Sequence, residues 1–366
     1  MGKQNMMQEK TVLVGFSGGV DSAVAALLLK EQGWRVIGAT MMIWDPSLPI
    51  PGGARNSNAC LSPEKEDVSE IRALAEKIGI EYVTVDCRAA YRRAVLDNFR
   101  SEYASGRTPN PCVICNSVIK FGILPKAAAA MGLPFDKFAT GHYARISQDP
   151  ASGLFLLLRA KDLSRDQSYF LHRLTQDQLA HTLFPLGEMS KTEIRAIARR
   201  AGLAVADKED SQDFYCGDYN DLLRFPNKPG DLVLQDGTVI GQHQGIWGYT
   251  IGKRKGLGIS GFKEPMYVVG IDAEKNRIII GPKAALYASS LQAADVCWTS
   301  GCPPAETFQA QIKIRNLHHA APAQVSVSQN GQRFSARFEQ PQLSITAGQS
   351  AVLYNGDIVL GGGVIV

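Results

Sequence analysis

Ser17-Gly18-Gly19-Val20-Asp21-Ser22 stands between the apolar run Thr11-Val12-Leu13-Val14-Gly15-Phe16 and the helical run Ala23 to Lys30. A strand, a glycine turn and a helix in that order make a device for holding phosphate. The two glycines let the chain turn tightly with bare amides facing outward. The following helix offers the positive end of its dipole, with Asp21 and Ser22 in its first turn. Such a unit restricts the fold to a sheet with helices packed on it, and it points to a nucleotide as ligand. A Walker loop needs Gly-x-x-x-x-Gly-Lys-Ser/Thr and a dinucleotide fingerprint needs Gly-x-Gly-x-x-Gly; the stretch has neither.

Strand and helix patterns alternate from Thr11 to about Phe225, which predicts a parallel sheet covered by helices on both faces. Trp34 to Ile43 reads as a second strand and Glu81 to Asp86 as a third. Ser62, with Pro63 after it, predicts a helix start; Val68, Ile71, Leu74, Ala75 and Ile78 share one face, and Gly79 ends it. Ser190-Lys191-Thr192-Glu193 is a capping box for a helix that Gly202 closes. Phe138 to His142 reads as a strand end, where open α/β sheets bind ligands. After Pro226-Asn227-Lys228-Pro229-Gly230 the pattern changes to short strands. Asp236-Gly237, Asn330-Gly331 and Asn355-Gly356 mark hairpins there. The expected organisation is an α/β domain over residues 1–225, a small β-rich domain over 226–288 and a β-barrel over 289–366.

With 45% hydrophobic and 20% charged residues among 366, the chain has the composition of a soluble globular enzyme. No run approaches the ~18 apolar residues of a membrane span. Met1-Gly2-Lys3-Gln4-Asn5 leads into the first strand without an apolar secretory region, so the expected location is the cytoplasm, with reduced thiols and no membrane partner. Between Gln242 and Lys283 seven basic residues (Lys253, Arg254, Lys255, Lys263, Lys275, Arg277, Lys283) face three acidic ones (Glu264, Asp272, Glu274). That local excess equals the +4 of the whole chain and suits a polyanionic partner.

Seven cysteines scattered over the chain do not form a disulfide framework. In Arg107-Thr108-Pro109-Asn110-Pro111-Cys112-Val113-Ile114-Cys115-Asn116 two prolines stiffen the approach to a helical pattern that begins near Ser117. Cys115 is thereby placed at a helix start, where amides and dipole stabilise a thiolate. A zinc site would need two further ligands, and no second Cys-x-x-Cys or close Cys/His pair is present. No metal-ligating set is therefore assigned. Cys216 follows in the polar stretch Lys208 to Gly217. Beside a nucleotide loop, two such thiols suggest sulfur chemistry in which one carries a sulfur atom and the other resolves the intermediate as a disulfide. Cys60, Cys87, Cys297 and Cys302 have no comparable context.

The loop resembles the Ser-Gly-Gly-x-Asp-Ser signature of ATP pyrophosphatases, which adenylate a substrate oxygen and release pyrophosphate. Gly15 to Ser22, Arg107 to Asn116 with Ile119-Lys120-Phe121, Ala139-Thr140-Gly141-His142-Tyr143, Asp166 to Leu171, and Gly241-Gln242-His243-Gln244-Gly245 through Lys255-Gly256-Leu257-Gly258 together resemble the tRNA-specific 2-thiouridylase family. The resemblance implies an adenine nucleotide alpha hydrolase-like pyrophosphate-loop domain, a central domain and a tRNA-binding β-barrel. It implies ATP-dependent replacement of the C2 oxygen of the wobble uridine of tRNA by sulfur, with ATP and Mg²⁺ as cofactors. Its partners would be tRNA and a sulfur-donor protein, either a persulfide relay or a cysteine desulfurase.

Carried over by position, Gly15, Phe16, Ser17, Gly18, Gly19, Val20, Asp21 and Ser22 would hold ATP phosphates, while Met41 and Gly141 would line the adenosine pocket. Asn110, Pro111 and Cys112 would contact the target base. Arg165, Asp166, Gln167, Arg315 and Asn316 would touch tRNA. Cys115 would be the nucleophile and Cys216 the persulfide carrier. Two departures stand out: Tyr215 occupies the family's usual cysteine place, one residue before Cys216, and Cys112 stands where many relatives have aspartate. Three thiols also resemble iron–sulfur-dependent tRNA thiolases, with a cluster on Cys112, Cys115 and Cys216. The remaining rivals are an amide or imine ligase on the same loop and an RNA-binding module whose loop only shapes a turn.

Overall fold

The computed structural model describes residues 10–48, 59–210 and 213–366. Its described residues form two compact units, one of 10–92 with Cys115–Gly217 and one of Arg93–Ile114 with Asp218–Val366. The strands of the first unit are β1 (Thr11–Gly15), β2 (Arg35–Met42), β3 (Glu81–Asp86), β4 (Lys137–Thr140), β5 (Ala144–Gln148), β6 (Phe155–Arg159) and β7 (Thr182–Leu183). The expected parallel sheet runs β3-β2-β1-β4-β7, with Leu13 opposite Ile37 on one side and Phe138 on the other. Thr11 to Val14 are buried on both faces, as a central parallel strand under two helix layers must be.

Helix α1 (Val20–Glu31) follows the phosphate loop and packs Ala23 and Ala26 with Val12, Val14, Ile71, Leu74, Ile194 and Ala198. On the opposite face, Phe121 meets Phe138 edge-on at 5.4 Å between ring centroids. The helix expected from Ser62 is broken. A single 3-10 turn spans Pro63–Glu66, and α2 (Ser69–Ile78) starts only at Ser69, whose amide donates to Asp67 Oδ1 at 2.9 Å. Asp67 offers a local cap to the backbone, which ends one turn and opens the next. Gly79 ends α2 in the left-handed region at φ 72°, as the sequence predicts.

A second correction concerns the helix Pro111–Ala130, which begins six residues before the expected start near Ser117. Proline at its first position costs no hydrogen bond there. Residues Cys115–Ile123 are wound as π-helix. Pro125 has no N–H to offer the Phe121 carbonyl. The Gln178 side-chain amide supplies the donor, at 3.0 Å from Phe121 O and 3.0 Å from Ser117 O. This helix is also apolar and long enough to cross a membrane by length and composition, with mean hydropathy 1.4, against the expectation that no run would be. Of its apolar residues, Ile119, Phe121 and Leu124 are buried within the protein, whereas Val118 is exposed.

In the second unit β8 (Gly230–Leu234), β9 (Val239–His243), β10 (Met266–Asp272) and β11 (Arg277–Pro282) form a sheet of order β10-β11-β8-β9 around Leu232, Val268, Ile278 and Ile280. Strands β12 (Tyr287–Trp298), β13 (Thr307–Lys313), β14 (Ala321–Val327), β15 (Arg333–Leu343), β16 (Ser350–Asn355) and β17 (Ile358–Ile365) follow in the order β12-β15-β14-β13-β16-β17. Pairing of β12 with β17 closes this ring into the expected barrel and leaves no open edge within it. Inward residues alternate along β13, β14 and β15 and fill it with Ile312, Val325, Phe334 and Phe338. All three predicted hairpins form, with Gly237, Gly331 and Gly356 at positive φ.

Gln178→Leu removes the side-chain donor from two carbonyls in the Pro111–Ala130 helix. It should lower unfolding free energy by about 1–3 kcal/mol in urea titrations followed by circular dichroism. Unchanged stability would show that those carbonyls find other donors.

Candidate active site

Strand β1 delivers Gly15 and Phe16 to the turn, and Phe16 N stays tied to Ala39 O at 2.8 Å. Gly18 lies in the left-handed region at φ 73°, and a side chain on it would come within 2.7 Å of Ile71. Only glycine fits, and Gly19 then caps α1 in extended conformation without a side chain over the helix end. Ser22 Oγ donates to Gly19 O at 3.1 Å, accepts from Ser17 N at 3.2 Å, and lies 3.2 Å from Ser17 Oγ. The turn is thereby folded around its own hydroxyls. Gly141, just past β4, brings its backbone so close to Asp21 that an added Cβ would lie 2.7 Å from the Asp21 carbonyl carbon. The structure thus joins Gly141 to the loop; Met41 is half-buried near the end of β2.

Around Asp21 the structure assembles groups that the sequence pattern does not bring together. Tyr143 OH donates to Asp21 Oδ1 at 2.8 Å, and Lys191 Nζ donates to the two Asp21 oxygens at 2.8 and 2.9 Å. Lys191 also reaches Asp210 Oδ1 at 2.6 Å, and Arg165 Nη1 donates to Asp210 Oδ2 at 3.1 Å. Two carboxylates and two cations thus alternate in a chain that starts at the phosphate turn. Burial, and then the Asp21 carboxylate, push the Tyr143 phenol far above its ordinary value, so it remains a neutral donor. Lys191 also belongs to the capping box that the sequence predicts. That box forms, with Ser190 N donating to Glu193 Oε2 at 2.7 Å. The overlooked signal was a lysine in the first turn of a helix, where the dipole disfavours it.

The thiols lie elsewhere than expected in their local frames. Because the helix begins at Pro111, Cys112 occupies its first turn and Cys115 is the fifth residue, beyond most of the dipole's reach. Cys115 and Asn116 are both buried, and Asn116 Nδ2 donates to Phe170 O at 3.4 Å. Cys216 is not in an open polar loop. Tyr215 pairs with Leu61 in an isolated parallel bridge; Leu61 N donates to Phe214 O at 2.7 Å and Cys216 N to Leu61 O at 3.2 Å. The buried Tyr215 anchors this segment and Cys216 is buried beside it. Cys60, exposed, lies next to the same bridge, its amide 3.3 Å from Asp213 O. Cys87 is an inert contrast, its thiol pushed up to about 11 by burial and the Asp86 charge.

Asp166 is buried. Its carboxylate accepts from Ala160 N and Ser168 N, each at 3.1 Å, and from Ser168 Oγ at 2.9 Å. Gln167 Oε1 accepts from Tyr143 N at 2.9 Å, so this pair shapes the chain around Tyr143, while Arg165 is half-exposed. In the second unit Arg315 donates to Leu343 O at 3.1 Å and lines a cleft of about 320 Å³ with Thr108, Thr250, Ser344 and Gln349. Asn316 Oδ1 is buried without a hydrogen-bond partner. Gln349 Nε2 donates to Thr108 O at 3.0 Å and Pro109 O at 3.3 Å. Gly348, at φ 91°, approaches the Thr108 backbone more closely than a Cβ would allow. Asn110, Pro111 and Cys112 therefore follow a leader pinned to a turn of the barrel. In the basic strip Lys253 folds back, donating to Gly248 O at 2.7 Å over the Tyr249 ring, whereas Arg254 and Lys255 are exposed.

Residues 10–216 match the family described as a tRNA methyl transferase HUP domain, 223–282 a tRNA methyl transferase PRC-barrel domain, and 288–365 an aminomethyltransferase beta-barrel domain. The tRNA-specific 2-thiouridylase MnmA of Endomicrobium trichonymphae is 52% identical over 362 residues, covering 99% of this chain and 100% of that protein. The protein of the same name from Geobacter metallireducens is 46% identical over 362 residues, covering 97% of this chain and 96% of its own length. That from Geotalea uraniireducens is 43% identical over 363 residues, with coverage of 97% and 95%.

His172, in the turn after Gln167, donates from Nδ1 to Tyr169 O at 2.8 Å, and burial pushes its ring down to about 3 from an ordinary 6.5. His142 is also pushed well below that value by burial and then by Lys120. The folded state keeps these rings neutral, while the unfolded chain takes up protons below about 6.5. Their contribution is fully present above that pH and is lost as pH falls below it, for His172 down to about 3. Unfolding free energy from urea titrations should drop between pH 7 and 5, by about 1.4 kcal/mol per pH unit per ring once below 6.5. His172→Asn should flatten that dependence; a wild-type protein that gains stability on acidification would contradict it.

Proposed function

The chain belongs to the tRNA-specific 2-thiouridylase family, and on that premise we propose that it thiolates the wobble uridine of tRNA through Cys115 and Cys216. It is a tRNA sulfurtransferase and performs ATP-dependent 2-thiolation. The observation that carries the residue-level reading is the phosphate turn, built as an anion cradle in the same unit as both thiols. Full-length relatives bear the thiouridylase name, although the matching domain families carry methyl transferase names. No group of three cysteine, histidine or acidic side chains among the described residues could hold a metal ion. The iron–sulfur reading is not favoured by relatives that bear the thiouridylase name, and the amide ligase leaves the cysteines without a role.

In this reading the bare amides of Gly18 to Val20 and the N-terminal end of α1 hold the ATP phosphates, and Asp21 is the carboxylate that would bind Mg²⁺. The C2 oxygen of the uracil attacks the α-phosphorus, the bond to the bridging oxygen breaks, and pyrophosphate departs. The base oxygen is now part of an adenylate and can leave. The terminal sulfur of a persulfide on Cys216 attacks C2 and AMP leaves. The Cys115 thiolate then attacks Cys216 Sγ and breaks the persulfide S–S bond. Its electron pair stays with the sulfur on C2, a Cys115–Cys216 disulfide remains, and an external thiol reduces it. A sulfur-donor protein reloads Cys216, in the cytoplasm. Asn110, Pro111 and Cys112 receive the flipped base on the rigid leader.

Asp21→Asn should abolish tRNA-dependent pyrophosphate release with the fold retained, since it removes the charge facing the reacting phosphates. Wild-type release rates in that variant would refute the loop assignment. Cys115→Ser and Cys216→Ser should each eliminate 2-thiouridine, measured by mass spectrometry of digested tRNA, while Cys302→Ser, exposed on the barrel, keeps it. Full activity of Cys216→Ser would remove it from the sulfur path.

The exposed Arg254 and Lys255 contact tRNA backbone in this proposal. Changing both to alanine should weaken different tRNAs equally and reduce the salt slope of binding by about two units. An unchanged slope with altered choice of tRNA would assign them to base reading.

A further inference from the structure

The phosphate loop Gly15 to Ser22 carries one charged side chain, and it is the negative Asp21. A polyphosphate bound there needs a cation from another part of the chain. Lys191 is an ammonium bonded to Asp21, spanning both carboxylate oxygens, and its side chain is only 9% exposed. Its position is unfavourable on two counts, burial and the positive end of its own helix. Asp21 and Asp210 offset that cost and hold Nζ across the first turn of α1. The third neighbour, Tyr143, presents its ring 5.8 Å from Nζ and its neutral hydroxyl to Asp21.

We propose that Lys191 is the cation of the phosphate site, aimed by Asp21 and Asp210 at the β- and γ-phosphates of the nucleotide. The proposal rests on the reading of ATP as that nucleotide. A lysine stem is flexible, so the ammonium turns from the carboxylates to phosphate oxygens while staying beside the loop. As the α-phosphorus bond to the bridging oxygen breaks, charge grows on the departing pyrophosphate, and the ammonium stabilises it. Asp21 is freed by the same movement to face the nucleotide's own counter-ion. The lysine thus does from a distant helix what the Walker lysine does from within its loop.

The test compares ATP with AMP, which lacks the phosphates Lys191 would touch, by calorimetry on the full chain with magnesium and without tRNA. Lys191→Met should weaken ATP binding by about tenfold or more and AMP binding by less than about twofold, and Lys191→Arg should recover most of the difference. Equal weakening of both nucleotides, or no weakening of ATP, would overturn the assignment and leave Lys191 a packing partner of Asp21. Should the methionine variant fail to fold by thermal melting, Lys191→Gln, which keeps hydrogen bonds but not charge, is held to the same two criteria. A wild-type protein that binds neither nucleotide would refute the nucleotide reading itself, and the assignment with it.

Discussion

Asp21 is the point on which the α/β unit turns. Its carboxylate sits at the positive end of α1, which favours it, yet it is drawn into the protein by a phenol from beyond β4 and an ammonium some 170 residues away. Those two contacts fasten the phosphate turn to the segment after β4 and to the helix Lys191–Arg200. Gly141 lies against the Asp21 backbone, so the approach is steric as well as electrostatic. Removing Lys191 leaves the half-buried Asp21 carboxylate without this cation, the situation that costs most.

The two thiols proposed for sulfur transfer sit on backbone that local structure fixes. Cys115 lies where the helix changes to π winding, and the donor that Pro125 withholds from this helix is replaced by Gln178. Irregular winding of this kind recurs at functional positions because it re-aims a side chain without ending the helix. Cys216 is fixed by a two-bond bridge to Leu61, and the bulky Tyr215 before it fills the interior. A one-residue shift of the cysteine is thus compatible with a fixed segment: the aromatic ring takes the buried slot and the thiol follows it.

In the second unit the closed barrel does more than bury its own core. A turn with Gly348 and Gln349 holds the Thr108 and Pro109 carbonyls, and the same turn borders the cleft containing Arg315. The leader to Asn110 is ordered by contacts some 240 residues away in sequence. Rigidity from two prolines alone would stiffen this leader but would not place it.

Local chemistry made the parallel strands, the Ser190 capping box, the Gly79 helix end and three Asx-Gly hairpins legible in the amino-acid order, because each depends on residues within one turn or one strand. The phosphate turn was legible for the same reason: its glycines and hydroxyls satisfy one another within six residues. The broken helix after Ser62 and the early start at Pro111 were missed because single residues, Asp67 and Pro111, decide boundaries against the apolar periodicity. Lys191, Tyr143 and Asp210 around Asp21, and Gln349 on the leader, were decided only by tertiary structure. Their partners lie far along the chain, and a polar side chain gains a role there only when folding removes water from the pair and makes its hydrogen bonds and charge strong.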